Sequence, residues 1–175
     1  MNNQEYLADL RKNLSGAIKP NWRVQSFSKR KAEAIIICYI DARDVQDMLN
    51  QYCTYGWHRE HYILNSDVYC RIGIVMPDGS VQYRADVGTP AKTEIEKSKA
   101  SDSFKRAAVN WGIGRSLYET EIVRVTTNEI WGGDFKNTPY VVDDRGNRVW
   151  DLTKHVNNLV EKGKLTITNL VQEIS

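Results

Sequence analysis

The stretch VYCRIGIVMPDGSVQYRADV, residues 68–87, holds two segments of alternating character separated by a turn. From Val68 to Met76 every second residue is apolar, which is the period of a β-strand with one buried face. Pro77-Asp78-Gly79-Ser80 has the residue types of a hairpin turn. The apolar residues of the second segment also share one face: Val81, Tyr83, Ala85 and Val87. The stretch therefore predicts an antiparallel hairpin.

The residues before this hairpin predict a third strand. This strand is predicted over Trp57–Leu64 and is closed by the turn residues Asn65-Ser66-Asp67. Three strands joined by short turns predict an antiparallel β-meander with one dry face.

A dry sheet face needs a cover, and the next segment predicts a helix that supplies it. Its apolar residues fall on one helical stripe: Ala100, Phe104, Ala107, Ala108 and Trp111. Gly88-Thr89-Pro90 suits a helix start, and Gly112 and Gly114 suit its end. The sequence thus predicts an α+β fold with a β-β-β-α core, in which one long helix covers the meander.

Further elements are predicted on both sides of this core. The N-terminal side has a helix over residues 5–14, a buried strand at Ala34–Ile40 and a short helix for which Asp44 is the expected N-cap. Residues 116–138 show little periodicity, and a C-terminal hairpin over 140–152 precedes a helix over 153–162. We expect a core domain over residues 1–118 and a C-terminal extension of unassigned role, packed on it, over 119–175.

The amino-acid composition limits the classes of protein to which this chain can belong. The chain has 175 residues, 41% hydrophobic and 26% charged, which fits a folded soluble protein with one main core. No apolar run is long enough to cross a bilayer, and no secretory signal is expected after Met1. Three widely spaced cysteines fit reduced thiols in a cytosolic compartment, and we expect Cys38 and Cys70 to be core residues.

The sequence offers little for catalysis. It lacks a phosphate-binding loop of the GxxxxGK[ST] or GxGxxG type, so we expect no nucleotide cofactor. His58 and His61 would point to opposite faces of a strand and lack further metal ligands. Pro77-Asp78 is better explained by the hairpin turn than by a nuclease motif. We therefore expect no catalytic residues, no metal and no enzymatic activity.

Basic residues on the covering helix predict a binding role. Five cations and a single acid, Asp102, lie between Lys97 and Arg115. The cations are Lys97, Lys99, Lys105, Arg106 and Arg115. Cations fixed on a rigid helix can follow a phosphate backbone without reading its sequence. An ordinary solvated helix, with Asp102 and Arg106 as an i, i+4 pair, is the alternative interpretation.

A second basic run precedes the strand at Ala34. Seven Lys or Arg and no acid lie between Leu10 and Ala32, and Lys29-Arg30-Lys31 is the densest part. The aromatic residues Trp22, Phe27 and Tyr39 are near in sequence, a combination that suits single-stranded nucleic acid. Core packing is the alternative role of Trp22 and Phe27.

An ordered series of motifs resembles the Rad52/Rad22 family of double-strand break repair, single-strand annealing proteins. The series runs from ICYID (37–41) through YGW (55–57), DGS (78–80) and DVG (86–88) to KASDSFKRA (99–107) and WGIG (111–114). The resemblance covers roughly residues 20–118. The amino-acid sequence of residues 100–107 is similar to that of the bacterial and bacteriophage branch of the family.

The resemblance implies ring- or arc-forming homo-oligomers and ATP-independent annealing in homologous recombination and DNA repair. It implies DNA-binding roles for Lys105, Arg106, Tyr39 and one of Lys29 and Arg30. Eukaryotic members carry another arginine at the position where this chain has Val109. Arg115 or Lys99 would compensate for the missing positive charge. We expect this chain to lack the tail through which eukaryotic members recruit partner proteins.

We therefore expect a DNA-binding protein that holds the phosphates of single-stranded DNA and leaves the bases free to pair. Duplex DNA and a single-strand-binding protein are further candidate partners, and no membrane role is expected. Two alternatives stay open: a metal-dependent nuclease, and a structural module whose basic helix serves assembly.

Overall fold

A computed structural model describes residues 1–16, 18–89, 95–120, 122–165 and 167 of the chain, without the side chains of 95–98, 118 and 119. In chain order the elements are α1 (Asn3–Leu14), β1 (Asn21–Phe27), β2 (Glu33–Tyr39), α2 (Ala42–Tyr52), β3 (Trp57–Leu64), β4 (Asp67–Val75), β5 (Val81–Val87), α3 (Ile95–Val109), β6 (Val123–Thr126) and α4 (Leu152–Glu161). Short 3-10 turns lie at Arg115–Glu119 and Phe135–Asn137. The fold is α+β, as predicted.

The chain forms two compact units, and each is built from two separate stretches. Unit 1 consists of Met1–Ile18 and Ile40–Arg115, and unit 2 of Lys19–Tyr39 and Ser116–Ser175. Unit 1 contains the sheet β3-β4-β5 with α1, α2 and α3, whereas unit 2 contains the sheet β1-β2-β6 with α4.

The predicted meander is present in unit 1. β4 pairs antiparallel with both β3 and β5, and their registers place His58 and Tyr83 on either side of Gly73. On the helix side of β4, Cys70, Ile72 and Ile74 are fully buried. The alternation of apolar residues in the sequence of β4 therefore correctly predicted that one face of this central strand is buried.

The prediction of one wholly dry face is wrong for β5. The register pairs Cys70 with Asp86, Ile72 with Arg84 and Ile74 with Gln82, so the polar side of β5 faces α3. Tyr83, on the apolar side of the strand, lies on the opposite face of the sheet and is 41% exposed. The covered face is thus apolar along its centre and polar along the β5 edge.

Helix α3 covers the meander through the predicted stripe. Phe104, Ala107, Ala108 and Trp111 are buried, and the Trp111 indole donates to the carbonyl oxygen of Ile72 at 3.3 Å. Gly112 and Gly114 have positive φ and follow the helix, as predicted. The expected helix start at Pro90 lies outside the described residues. Instead, Thr89 bonds through its backbone N–H and its hydroxyl to the Asp102 carboxylate, both at 2.8 Å.

The two shorter helices of unit 1 begin with capping boxes. Asn2 caps α1, and its side chain accepts from the backbone of Gln4 and Glu5. Asp41 caps α2, so the prediction of Asp44 as N-cap is wrong. Asp44 is the third residue of the helix, and its carboxylate accepts from the Asp41 backbone N–H at 2.7 Å. The two carboxylates thus satisfy each other's backbone donors, which is the reciprocal arrangement of a capping box.

Unit 2 has its own core around β2, the predicted buried strand. β2 lies between β1 and β6, both antiparallel to it, and a bulge interrupts the β1 register between Val24 and Ser26. The core cluster consists of Trp22, Ile36, Val123, Val156 and Ile167. β6 was not expected, because residues 116–138 show no clear periodicity.

The C-terminal helix of unit 2 packs against β1 through buried hydrogen bonds. Helix α4, predicted over 153–162, carries Asn157, which accepts from the Trp22 indole at 3.0 Å and donates to the Pro20 carbonyl oxygen at 3.2 Å. The predicted hairpin over 140–152 is present as a short one: Val142 bridges Arg148, and the Asp143 and Val149 backbone N–H groups donate to the carbonyl oxygens of Asn147 and Val141, both at 2.9 Å. Within the described residues no helix is both long and apolar enough to span a membrane.

Candidate nucleic-acid interface

Helix α3 presents Lys105 and Arg106 beside its buried stripe. Phe104 and Ala107, on either side of them in the sequence, are buried, while Lys105 and Arg106 are half-exposed. Successive residues of an α-helix are rotated by about 100°, so the two cations leave the helix in different directions. The prediction that both lie at the helix surface is confirmed.

Arg106 is directed toward β5. Its Nε lies 3.7 Å from Asp86 Oδ1 and makes no hydrogen bond, and its side chain is 38% exposed. Asp86 also accepts from the side-chain amide of Asn110 at 3.3 Å. The sheet thus holds this guanidinium in place and neutralises part of its charge. Among the described residues, none forms an ion pair with Lys105.

The other cations predicted on this helix differ in accessibility. Lys99 has a side chain that is only 17% exposed, and its ammonium lies 4.0 Å from Asp67 Oδ1. Arg115 is exposed in the 3-10 turn after Gly114. The side chain of Lys97 lies outside the described residues.

Two arginines that the sequence analysis missed also lie against α3. The Arg59 guanidinium from β3 is 4.7 Å from the centroid of the Phe104 ring, and that of Arg84 from β5 is 5.1 Å from the centroid of Trp111. Arginine over an aromatic face is held by cation–π attraction, which leaves its N–H donors for other partners. One donor of Arg84 is already used, because its Nη1 donates to the Tyr83 carbonyl oxygen at 2.9 Å. Arg59 shares the helix side of β3 with Trp57, so strand alternation together with the hairpin register was the signal that could have found it.

The two histidines of β3 point to opposite faces, as predicted. His61 lies on the helix side, where its Nε2 donates to the carbonyl oxygen of Ala100 at 3.0 Å. His58 lies on the other face and shares a 3.1 Å hydrogen bond with the Tyr83 hydroxyl. Both imidazoles therefore have structural partners.

The cysteines are core residues rather than reactive thiols. Burial raises the pKa of Cys53 to about 12 and that of Cys70 to about 11. Burial also raises the pKa of Cys38, which is half-buried and donates to the Thr120 hydroxyl at 3.4 Å. All three thiols therefore stay protonated near neutral pH, whereas a nucleophile must be a thiolate.

In unit 2, Lys29, Arg30 and Lys31 form the exposed turn between β1 and β2. The Ser28 hydroxyl accepts from the backbone N–H groups of Arg30 and Lys31 at 3.2 and 3.1 Å, which fixes the turn. The Lys29 ammonium lies 5.4 Å from the ring centroid of Trp131. The structure thus brings the two uncertain candidates, Lys29 and Arg30, to one exposed loop.

Tyr39 lies at the opposite end of this hairpin. It ends β2, pairs with Asn21 and is half-buried, with the Arg23 guanidinium 5.6 Å from its ring centroid. At about 3.3 Å per strand residue, the length of β2 puts Tyr39 roughly 20 Å from the basic turn. Tyr39 and Lys29 therefore do not meet in one contact site on unit 2.

Comparison with known proteins gives one family and two similar proteins. A family model described as Rad52/22 family double-strand break repair protein matches residues 4–130. The single-stranded DNA-binding protein DdrA of Deinococcus radiodurans is 32% identical over 119 residues, which is 65% of this chain and 56% of that protein. DdrA of Deinococcus deserti is 32% identical over 120 residues, or 65% of this chain and 58% of that protein. The chain thus spans a little more than half the length of these relatives.

Proposed function

The chain belongs to the Rad52/Rad22 family of double-strand break repair proteins, and on this premise we propose that it binds single-stranded DNA and anneals complementary strands. Two relatives bear the name single-stranded DNA-binding protein, which supports the choice of ligand. The observation that carries the proposal is that Lys105 and Arg106 lie beside the buried stripe of α3, while Arg59 and Arg84 of the sheet stack on Phe104 and Trp111 of the same stripe. A rigid helix with cations on both flanks can hold successive phosphates.

The residue types define how annealing would proceed. Lys and Arg neutralise the phosphates and reduce the repulsion between two approaching strands. Phosphate contacts position a strand without reading its bases, so the bases stay free to pair. Pairing of complementary strands is downhill, and the proposed reaction therefore needs neither ATP nor another cofactor.

The other predicted contacts extend this proposal along the chain. Lys97, Lys99 and Arg115 would continue the phosphate contacts of α3, with exposed Arg115 contributing more than largely buried Lys99. Lys29 and Arg30 would form a second contact on the exposed turn of unit 2, with Tyr39 at the far end of the same hairpin.

We also propose that several copies assemble into a ring or an arc. Each copy would contribute a few weak phosphate contacts, and repetition around an assembly would convert them into stable binding. Residues 1–118 would supply the annealing core, and residues 119–175 would form the extension. The extension would stabilise the core because its strand β6 pairs with β2. We place this function in the cytoplasm of a bacterial or phage-infected cell.

The test compares two double variants that remove the same charge. Lys105→Ala with Arg106→Ala removes the proposed contact, and Arg11→Ala with Lys12→Ala removes two exposed cations from the last turn of α1. Binding of a labelled single strand is measured by fluorescence anisotropy at increasing salt. We expect the α3 variant to lower the slope of log affinity against log salt by about 1.4, the value for two phosphate contacts on single strands.

Annealing is then followed with complementary strands in the absence of ATP. We expect duplex formation by the unchanged protein and by the α1 variant. The α3 variant should lose most of its annealing, while its free energy of unfolding falls by less than about 1 kcal/mol because only the part-exposed Arg106–Asp86 pair is removed. Equal binding by the two double variants would remove α3 from the site. Cleavage of the strands in the presence of magnesium would instead favour the nuclease.

A further inference from the structure

A group of aromatic rings lies beside the basic turn of unit 2, and two of them, Trp131 and Phe135, lie just beyond the residues that the family model matches. Trp131 packs between Phe27 and Phe135, with ring centroids 6.3 and 5.5 Å away. The Lys29 ammonium lies over the Trp131 ring at 5.4 Å. Phe135 is 83% exposed, the highest value among the exposed large hydrophobic residues of the described chain. We call Trp131 and Phe135, with Lys29, the aromatic patch.

Hydrogen bonds hold the loop that carries this patch. The Trp131 backbone N–H donates to the Ser28 carbonyl oxygen at 3.2 Å, and its indole donates to that of Asp134 at 3.3 Å. The Asp134 carboxylate accepts from the backbone of Lys136 and the side chain of Asn137, both at 2.9 Å. The loop therefore holds Phe135 in solvent by specific bonds, although solvent is an unfavourable place for a large apolar ring.

The base of the loop is closed as well. The Asn128 backbone N–H donates to the Tyr140 carbonyl oxygen at 3.0 Å, and the Asn128 side chain accepts from the Tyr140 backbone N–H at 2.8 Å. A loop closed at its base and bonded internally presents its exposed ring in a defined orientation, which lowers the entropy lost when a ligand binds.

The charges around the patch indicate what covers it. Lys29, Arg30 and Lys31 are all exposed on the adjacent turn, which the Trp131 backbone contacts directly through Ser28. An apolar protein surface would have to bury or displace these cations. A single-stranded polynucleotide offers both complements, because its phosphates pair with the cations and its unpaired bases stack on the rings.

We propose that Phe135 and Trp131 stack on unpaired bases of a single strand whose phosphates are held by Lys29, Arg30 and Lys31. This inference rests on the proposed function and adds a base-contacting site to the phosphate contacts of α3. Stacking tolerates every base, since each has a π-face, so the site strengthens binding without imposing a sequence.

The test distinguishes two contributions of Phe135 to binding: stacking by its aromatic ring and the contact of its apolar surface. Phe135→Leu keeps an apolar side chain and removes the ring, whereas Phe135→Trp keeps a stacking surface. Ile122→Ala, which shortens an aliphatic side chain that is 64% exposed on the same unit, is the control. Affinity is measured for a mixed-sequence single strand and for an abasic strand of equal length.

We expect Phe135→Leu to weaken binding of the base-containing strand by at least about fivefold, the lower end of what one stacked base contributes. Phe135→Trp and Ile122→Ala should bind as the unchanged protein does. On the abasic strand the difference between Phe135→Leu and the unchanged protein should disappear, while the salt dependence stays the same. Equal unfolding midpoints confirm that the fold is intact.

Two results would overturn the stacking site alone. The first is an unchanged affinity of Phe135→Leu for the base-containing strand. The second is an equal loss of affinity for the base-containing strand and for the abasic strand. In either case strand binding that still depends on Lys105 and Arg106 would leave the proposed function standing. Failure of the unchanged protein to bind any single strand would instead remove the proposed function, and the stacking site with it.

Discussion

Lys105 and Arg106 are neighbours in the sequence, yet the structure gives their charges different surroundings. The Arg106 guanidinium faces Asp86 on β5 and is partly neutralised there, whereas no described residue pairs with Lys105. Lys105 therefore offers a full charge to a phosphate, and Arg106 offers a positioned but shared one. Two cations that look equivalent in the sequence should differ in single substitutions.

We expect Lys105→Ala to weaken strand binding with no measurable change in stability. Arg106→Ala should weaken binding and also lower the free energy of unfolding, by less than about 1 kcal/mol because the pair with Asp86 is part-exposed. Urea unfolding combined with a salt titration of binding measures both effects. A larger stability loss for Lys105→Ala than for Arg106→Ala would contradict this assignment.

Gly88 sets how closely α3 approaches the end of β5. A Cβ atom at this position would overlap the backbone carbonyl of Lys99, whose carbon is 2.9 Å away. We expect Gly88→Ala to lower the free energy of unfolding by about 1–3 kcal/mol, the cost of forced overpacking. Gly132→Ala is the control, because a Cβ there meets nothing within 4 Å. Equal denaturation midpoints for the two variants would show that the helix can shift without cost.

The buried thiol of Cys53 makes stability depend on alkaline pH. The unfolded chain loses this proton near the ordinary pKa of 9.0, but burial raises the pKa in the folded state to about 12. Between these values the unfolded state binds fewer protons, so stability falls as pH rises, by up to about 1.4 kcal/mol per pH unit. We expect Cys53→Ala to show a smaller decrease in unfolding free energy between pH 8 and pH 10. Parallel decreases in the two proteins would contradict this.

At the scale of elements, the sequence predicted where most helices and strands lie but not how one strand faces its cover. β3 and β5 have the predicted bounds, and α3 has the predicted stripe, because alternation and helical period are local signals. Alternation shows which residues of β5 share a face and leaves open which face is covered. The pairing of Cys70 with Asp86 decides this, and pairing is a property of the hairpin rather than of one strand.

The same limit applies to the candidate site. Lys105 and Arg106 could be predicted because they flank an apolar helical stripe. Arg59 required two signals together, the alternation of β3 and its register with β4, and its position over Phe104 depends further on how β3 and α3 pack. β6 escaped prediction because Val123–Thr126 is short and gains its partner, β2, from a distant part of the chain.

The capping box of α2 allows a test at this scale. Asp41→Ala removes the acceptor for the backbone N–H groups of Arg43 and Asp44, and we expect a stability loss of about 1 kcal/mol. Asp41→Asn keeps a capping oxygen and should remain close to the unchanged protein. Thermal unfolding of both variants measures the difference. A loss of equal size for Asn would indicate that charge, rather than capping, matters at this position.

For the whole molecule, the pairing of β2 with β6 and the bonds between Trp22 and α4 make unit 2 depend on residues beyond 118. A chain ending at residue 118 lacks β6 and α4 and leaves one edge of β2 without its partner. We expect this chain to aggregate or to lose cooperative unfolding, because the core around Ile36 also loses Val123 and Val156. Sedimentation and urea titration distinguish these results. Cooperative unfolding of the shorter chain at the midpoint of the full one would contradict this dependence.

The division of unit 2 into two stretches has a consequence during synthesis on the ribosome. The hairpin of β1 and β2 emerges early, but β6 follows only after β3, β4, β5 and α3 have been translated. At a translation rate of about 5–20 residues per second, the apolar strand β2 would remain without its partner β6 for on the order of ten seconds. The cations Lys29, Arg30 and Lys31 flank that strand and would repel other nascent chains during this interval, so the turn would protect the nascent protein from aggregation while it folds.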